Sequence, residues 1–379
     1  MTALSTDDPG APEPAGGALR VRLDEPLALE SGAMLPGIEI AYRTWGRLNA
    51  AADNAVLVCH SLTGSADAAA WWPELLGRGH ALDPTHDFIV CSNVLGGCHG
   101  TTGPASVIPG SSRVYGPEFP HVTVRDIVHA QARLLDVLGV QRLRLVVGAS
   151  FGGMQALEWA ALYPARIDAL ALIATSARQS AWAIGLSEAQ RQAIRADANW
   201  MQGYYGATPP RFGLAAARTI AMLSYRSWHG LETRFGRAQR ASGRFEVESY
   251  LNYQGGKFAQ QFDANSYITL THAIDSHDIG RGRGGAGAAL AAIPQPALVI
   301  GIDSDALYLP HEQQEIARRL PRATLAWLYS PHGHDAFLIE SKEINALVAG
   351  FRRRLVRQRR TPRRLIGAPL RAITAEAGT

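Results

Sequence analysis

Cysteine is scarce in this chain, with three residues in 379: Cys59, Cys91 and Cys98. That excludes a disulfide framework, and no Cys-x-x-Cys pair offers metal-ligand spacing. Cys98-His99 also lacks a second ligand pair at suitable spacing, so no metal site is expected. Thiols without partners fit a reducing, cytoplasmic setting. Long apolar runs are missing too, since no stretch of about 18 apolar residues reads as a membrane span. The opening segment, MTALSTDDPGAPEPAGGALR, has neither a basic n-region nor an apolar h-region. Residues 1–18 are therefore expected to be a disordered lead-in and not a signal peptide. Charged residues make up 18 % of the chain and apolar residues 47 %, the balance of an ordinary soluble globular protein.

The formal net charge of +4 hides an uneven distribution. Residues 351–379 carry nine arginines, no lysine and one glutamate, a local +8, so the rest of the chain sums to −4. Such a tail attracts polyanions in principle. The plainer expectation is a solvated end of the last helix followed by a frayed terminus over 352–379. The body has no basic stripe with interleaved aromatics, so nucleic acid is not an expected partner.

Short apolar runs recur along the body. AVLVCH (55–60), FIVCS (88–92), LRLVV (143–147), ALALIA (169–174), ALVIGI (297–302) and TLAWLY (324–329) are Val/Ile/Leu-rich. They read as strands buried on both faces, the signature of a parallel sheet. Between two of them, TVRDIVHAQARLLDVLG sets Ile127, Ala130, Leu134 and Leu138 on one helical face. Thr123 is placed to cap that helix and Gly139 to end it. Strands alternating with such helices indicate right-handed βαβ units, hence an α/β fold with a mostly parallel central sheet and helices on both faces. LRVRL (19–23) and IEIAYRTW (38–45) alternate apolar with polar, as antiparallel edge strands do.

The strand pattern stops after Ala174 and resumes only past a Gly/Ala linker, GRGRGGAGAALAAIPQP. The intervening block is helical, with one helix start expected at Ser187, where Gln190 lies at capping-box spacing. The expected organisation is a core over 19–177 and 292–351 with a helical lid inserted at 178–291. The lid would cover the carboxyl edge of the sheet, where open α/β folds place ligands.

Gly148-Ala149-Ser150-Phe151-Gly152 joins a strand to a helix. In that context Gly-x-Ser-x-Gly is a strained turn that lifts the serine hydroxyl clear of the sheet, with small neighbours that avoid a clash. The following helix points its free N–H groups at the site and favours developing negative charge. Ser150 is a weak nucleophile at neutral pH and needs a base, which needs an orienting acid, in the chain order Ser, Asp/Glu, His. Asp303 and Asp305 follow the strand at 297–302, and His332 and His334 follow the next one. Spacing does not choose within either pair. The oxyanion hole is expected to combine the Phe151 N–H with one from CHSLTGS (59–65). The glycine-rich SNVLGGCHG lacks a following Gly-Lys-Ser/Thr and is no phosphate loop.

SNVLGGCHGTTGP (92–104), VRDIVHAQ (124–131), GASFGGMQALEWA (148–160), YQGGKFAQQFDANSYITLTHAID (253–275) and GHDAFL (333–338) together resemble the homoserine O-acetyltransferase family, over roughly residues 20 to 350. That family is an acyltransferase branch of the α/β-hydrolase fold. Carried over by motif, the resemblance implies Ser150 as nucleophile, Asp305 as orienting acid and His334 as base. It implies Leu62 and Phe151 at the oxyanion hole, with Thr63 beside it. It further implies Arg218 and Asp335 on the carboxylate and amine of an amino-acid acceptor, with Tyr225 lining the same tunnel. A zwitterion in a dry pocket needs one cation and one anion of this kind. Acetyl-CoA is implied as co-substrate, with no cofactor, L-homoserine as acceptor, and a homodimer. L-serine as acceptor, succinyl-CoA as donor, or an esterase with the same triad are the alternatives. Two departures bear on the acyl pocket. Phe151 stands where the family usually has methionine, and LTG continues as SADAAAWW instead of the common DAH.

Overall fold

The structure, a computed structural model, describes residues 18–360. Residues 1–17 and 361–379, which hold most of the expected lead-in and of the arginine-rich tail, lie outside the described residues. Ten strands occur in the described chain: β1 Leu19–Leu23, β2 Leu27–Ala28, β3 Met34–Leu35, β4 Ile38–Trp45, β5 Ala55–Cys59, β6 Phe88–Ser92, β7 Leu143–Ala149, β8 Leu170–Ile173, β9 Ala297–Ile302 and β10 Ala323–Leu328. β2 and β3 form a small hairpin of their own, and the other eight make one sheet ordered β1-β4-β6-β5-β7-β8-β9-β10. β1 and β4 pair antiparallel, as does β4 with β6, while every other neighbour in the sheet is parallel.

The apolar runs form strands because both faces of the sheet are covered. Side chains alternate between faces with period two. Leu57, Cys59, Val90, Val146, Leu172 and Val299 point into one core. Val56, Val58, Ile89, Cys91, Val147 and Ile300 point into the other. Helices Val124–Val137, Phe151–Leu162 and Pro310–Arg319 cover the first face through Ile127, Leu134, Leu157 and Ile316. On the second face lie Trp72, Leu75, Phe337 and the helix Ser341–Arg360, through Ile344, Val348 and Phe351.

Two strand expectations need correction. β4 is antiparallel as its pattern suggests, but it lies between β1 and β6, so only β1 is an edge. β10 forms the opposite edge, and Thr324 and Leu325 are exposed. An edge strand covered on one side only is not buried on both faces, whatever its composition.

Helix Val124–Val137 starts as its sequence predicts. The Thr123 hydroxyl accepts from the Asp126 N–H, the Asp126 carboxylate accepts from the Thr123 N–H, and Gly139 follows the end at φ 74°. The lid helix expected to start at Ser187 starts earlier, at Ala181, with the Ser180 hydroxyl accepting from the Ala183 N–H. Ser187 and Gln190 lie inside it and are buried. Gln190 accepts from the Tyr267 hydroxyl at 2.5 Å, so this spacing serves lid packing and not a cap.

Helices Ala181–Arg195, Arg211–Tyr225, Trp228–Phe235, Glu246–Ala259, Ala264–Asp275 and Ala286–Ala291 make up the insertion. Residues 177–179 and 277–279 run side by side at its base, where the Gln179 N–H donates to His277 O and the Ile279 N–H to Ala177 O, each at 2.9 Å. Among the described residues no helix is long and apolar enough to cross a membrane.

The final helix continues past residue 351 to Arg360, and its first tail arginine is not simply solvated. Arg352 donates to the Ala81 carbonyl and makes two 2.6 Å contacts with the buried Asp87 carboxylate. Breaking such a pair strands a buried charge, at a cost of about 3 kcal/mol. Arg352→Ala is expected to lower the thermal unfolding midpoint by several degrees, whereas Arg353→Ala, on the exposed face, shifts it by less than about one degree. Equal midpoints for the two variants would contradict this account.

Candidate active site

The turn after β7 has the strain its sequence predicts. Ser150 sits at φ 57° and ψ −124°, a region that costs a non-glycine residue about 1–3 kcal/mol. Neighbouring contacts hold it there. The Ser150 N–H donates to Ile173 O at 2.9 Å, and its carbonyl accepts from the Thr175 hydroxyl at 2.8 Å and the Gly153 N–H at 2.9 Å. The flanking glycines are sterically required. A Cβ on Gly148 would lie 2.2 Å from Gly152 O, and one on Gly152 would lie 2.0 Å from Cys59 O.

Four loops meet at the carboxyl ends of the parallel strands. Ser150 follows β7, residues 60–65 follow β5, Asp305 follows β9 and His334 follows β10. His334 Nε2 lies 2.8 Å from Ser150 Oγ, and His334 Nδ1 lies 2.7 Å from Asp305 Oδ2. All three side chains are almost fully buried; Ser150 is 8 % exposed. Asp305 Oδ1 accepts from the Leu307 and Tyr308 N–H groups at 2.8 and 3.0 Å, which fixes the carboxylate. With that acceptor at Nδ1, the neutral imidazole carries its proton there and leaves Nε2 to accept the serine proton. Tyr308, Phe337 and Tyr225 surround the ring at centroid distances of 5.3, 5.4 and 5.8 Å.

Geometry separates the pairs that spacing left open. Asp303 Oδ1 accepts from the Ser330 N–H at 2.9 Å and staples the two loops together, away from the imidazole. His332 is half-exposed and faces Glu340 at 3.8 Å. Burial opposes a charged His334, but the Asp305 carboxylate outweighs it through charge and hydrogen bond, with help from Asp335, so the His334 pKa is raised above its ordinary value. The thiols do not compete as nucleophiles, since burial pushes Cys98 up to about 12 and raises Cys91 as well.

At the start of helix Phe151–Leu162, Gly153 and Met154 donate to Ser150 O. The Phe151 N–H is the first of the helix and has no intrahelical acceptor, which leaves it free to donate. The Phe151 ring is fully buried in the core under the sheet. Leu62 lies in the turn that closes through the Gly64 N–H to Ser61 O at 3.0 Å. Sequence reasoning missed what holds this loop. His60 is buried, with Nδ1 donating to Ser61 O at 2.7 Å and Nε2 accepting from the Val94 N–H at 3.2 Å. Burial lowers its pKa to about 4, so it stays neutral. The His60 carbonyl accepts from Gln155 Nε2 at 3.1 Å, which ties the loop to the nucleophile helix.

Beyond the triad, Arg218, Thr63 and Tyr225 come together. Arg218 Nη1 is 3.5 Å from Thr63 Oγ1, and its guanidinium lies over the Tyr225 and Phe258 rings at 5.4 and 5.1 Å. No carboxylate pairs with Arg218 among the described residues. Asp335 pairs instead with Arg226 Nε at 3.2 Å, a partner that sequence reasoning did not single out. Burial raises the Asp335 pKa against the pull of Arg226, His334 and Arg218. Among the described residues no group of three or more His, Cys, Asp or Glu side chains is placed to hold a metal ion.

A family model described as the α/β hydrolase fold matches residues 54–341. The homoserine O-acetyltransferase of Chlorobaculum tepidum is 55 % identical over 334 residues, covering 88 % of this chain and 94 % of that protein. Among solved structures, the homoserine O-acetyltransferase from Bacillus anthracis superposes with a TM-score of 0.83 at 26 % identity, covering 88 % of this chain and 97 % of that one. Esterase E22 superposes with a TM-score of 0.81 at 25 % identity, covering 89 % of this chain and all of that one. Fold, strained serine turn and overall similarity agree: the chain belongs to the homoserine O-acetyltransferase family of the α/β hydrolase fold.

Proposed function

We propose that the chain transfers an acetyl group from acetyl-CoA to the side-chain hydroxyl of L-homoserine through an acetyl-Ser150 intermediate. The observation that carries this reading is the unbroken hydrogen-bonded line from Ser150 Oγ through His334 to Asp305, at 2.8 and 2.7 Å. In the first half-reaction His334 Nε2 takes the serine proton as Oγ attacks the thioester carbonyl carbon. The Phe151 and Leu62 N–H groups receive the oxyanion, the C–S bond breaks, and CoA leaves as the thiol with the proton from His334. In the second half-reaction His334 takes the acceptor's hydroxyl proton. The acceptor oxygen attacks the acetyl-serine carbonyl, and Ser150 recovers its hydroxyl. Side chains and backbone donors carry these steps, with acetyl-CoA as co-substrate and no cofactor.

Arg218, without a carboxylate partner among the described residues, suits the acceptor's carboxylate, and Asp335, which also faces Arg226 at 3.2 Å, suits its amine. L-serine is one methylene shorter than homoserine, a difference worth about 1–3 kcal/mol in a fitted pocket. The esterase likeness favours a second reading, hydrolysis of the same acyl-enzyme, because the triad alone does not distinguish water from an amino acid. Three free cysteines suit a cytoplasmic setting. The lid supports a homodimer. Phe212 and Leu223, eleven residues apart and hence on one face of their helix, are 84 % and 50 % exposed, and Trp228 is 77 % exposed close by in sequence.

Ser150→Ala is expected to abolish acetyl labelling of the protein by acetyl-CoA, as read by intact-protein mass spectrometry; label surviving on another residue would sink the acyl-serine route. CoA release should depend strongly on homoserine, and equal rates without it would favour the hydrolase. Catalysis needs neutral His334, whose pKa is raised. The kcat/KM profile should therefore fall as pH drops through a midpoint above about 6.5, and a midpoint below 6 would contradict the Asp305 contact. Phe212→Asp is expected to convert the dimer to monomer in analytical ultracentrifugation, and an unchanged sedimentation coefficient would place the interface elsewhere.

A further inference from the structure

A cavity of about 480 Å³ opens between helix Trp228–Phe235 and residues 331–332 of the loop that leads to His334. Its walls include Arg226, His229, Arg234, Phe235, Tyr250 and His332, with no carboxylate among the lining residues. We propose that this cavity binds the phosphorylated adenosine end of the CoA thioester, with Arg234 as its principal phosphate contact. The proposal rests on the acetyl-CoA reading above and extends it to a place on the surface.

Three observations carry it. The first is position. The two chain segments that flank the catalytic imidazole run directly into the cavity wall: Tyr225 faces His334 at 5.8 Å and the next residue, Arg226, lines the cavity. On the other segment Pro331 and His332 line it, and Pro331 is only three residues before His334, at most about 11 Å along the chain. The extended pantetheine arm of a CoA thioester spans such a gap, with the thioester at Ser150 and the nucleotide at the mouth.

The second is charge. Arg226 is matched by Asp335, but Arg234 has no carboxylate partner among the described residues. Its guanidinium instead lies 4.9 Å from the centroids of both the Phe235 and the Tyr250 rings. A guanidinium braced by aromatic faces keeps its donors aimed outward for a bidentate anion. The third is an unmet hydrogen bond. The Tyr250 hydroxyl is buried and has no hydrogen-bond partner among the described residues. Buried hydroxyls seldom stay unpaired, and a phosphate or ribose oxygen would meet this one. The volume lies within the usual range for small-molecule sites, and flat aromatic walls suit a purine ring.

The test uses the full chain, with adenosine 3′,5′-bisphosphate as a probe and S-acetyl-N-acetylcysteamine as a thioester that lacks the nucleotide. The bisphosphate is expected to bind in calorimetry and to compete with acetyl-CoA. Arg234→Gln should raise the KM for acetyl-CoA and the bisphosphate Kd about tenfold, the size of one charge-assisted contact. The KM for the nucleotide-free thioester should move less than twofold. Tyr250→Phe, which removes one oxygen and keeps the ring, should raise the same two constants severalfold. Unchanged constants in both variants, with unfolding midpoints equal to the parent's, would overturn the proposal. So would equal KM values for the two thioesters in the parent protein. Failure of both thioesters to acetylate the protein would instead remove the Ser150 reading, and calorimetry would then still decide whether the cavity takes the bisphosphate.

Discussion

The catalytic arrangement depends on a close backbone approach between two strand ends. Gly152 sits so near Cys59 that even a methyl group would lie 2.0 Å from the Cys59 carbonyl. This contact sets the distance between the nucleophile turn after β7 and the oxyanion loop after β5. The parallel register reinforces it, with Cys59 opposite Gly148 at the last paired position. An oxyanion hole built from both loops is useful only if its two N–H groups are fixed relative to the serine before the reaction starts. Steric contact between backbones provides that rigidity more firmly than a side-chain hydrogen bond, because backbone has no rotamers to change.

Polar groups beneath the site then lock what the glycines allow. Trp159 Nε1 donates to Gln131 Oε1, Gln131 Nε2 donates to Gln155 Oε1, and Gln155 Nε2 donates to His60 O, at 2.8, 2.8 and 3.1 Å. Each amide in this buried line uses both of its ends, which is the condition for a polar group to stabilise a core instead of weakening it. The line connects the helix before β7, the helix after it and the loop after β5. His60 closes the far end by bridging Ser61 and Val94 as a neutral ring. The electrostatics of the region thus separate two imidazoles. Burial outweighs the Ser61 hydrogen bond at His60 and holds its pKa near 4, while a facing carboxylate outweighs burial and raises that of His334.

Much of this was legible in the sequence because it is local. Runs such as FIVCS and ALVIGI are strands at the bounds their composition marks, since a parallel strand buried on both faces has no polar alternation to blur its ends. Thr123 announces a helix start because the capping bonds it shares with Asp126 lie within four residues. Ser187 and Gln190 show the same spacing, yet they serve the packing against Tyr267, 77 residues away from Gln190. Local spacing cannot reveal such a partner. The same holds for Arg226 and Asp335, Arg352 and Asp87, and the choice of Asp305 over Asp303. Each is decided by which loops the sheet brings side by side.

The lid is where hydrolysis and transfer part company in physical terms. Water reaches any exposed acyl-serine, so an amino-acid acceptor competes only if the site is closed and the acceptor is held in place. For the proposed transfer, one helix of the insertion would serve both conditions. Arg211–Tyr225 brings Tyr225 against the catalytic imidazole and, two turns earlier, Arg218 against Thr63 of the oxyanion loop. In the proposed transfer, a cation braced between two aromatic rings and lacking a carboxylate of its own would attract the acceptor's carboxylate, and charge pairing is strong where water is scarce. Residues 177–179 and 277–279, paired through backbone bonds just past the end of β8, lie on the same sheet edge as Ser150. Because one helix carries both the ring against His334 and the cation beside Thr63, the two contacts keep a fixed spacing along it.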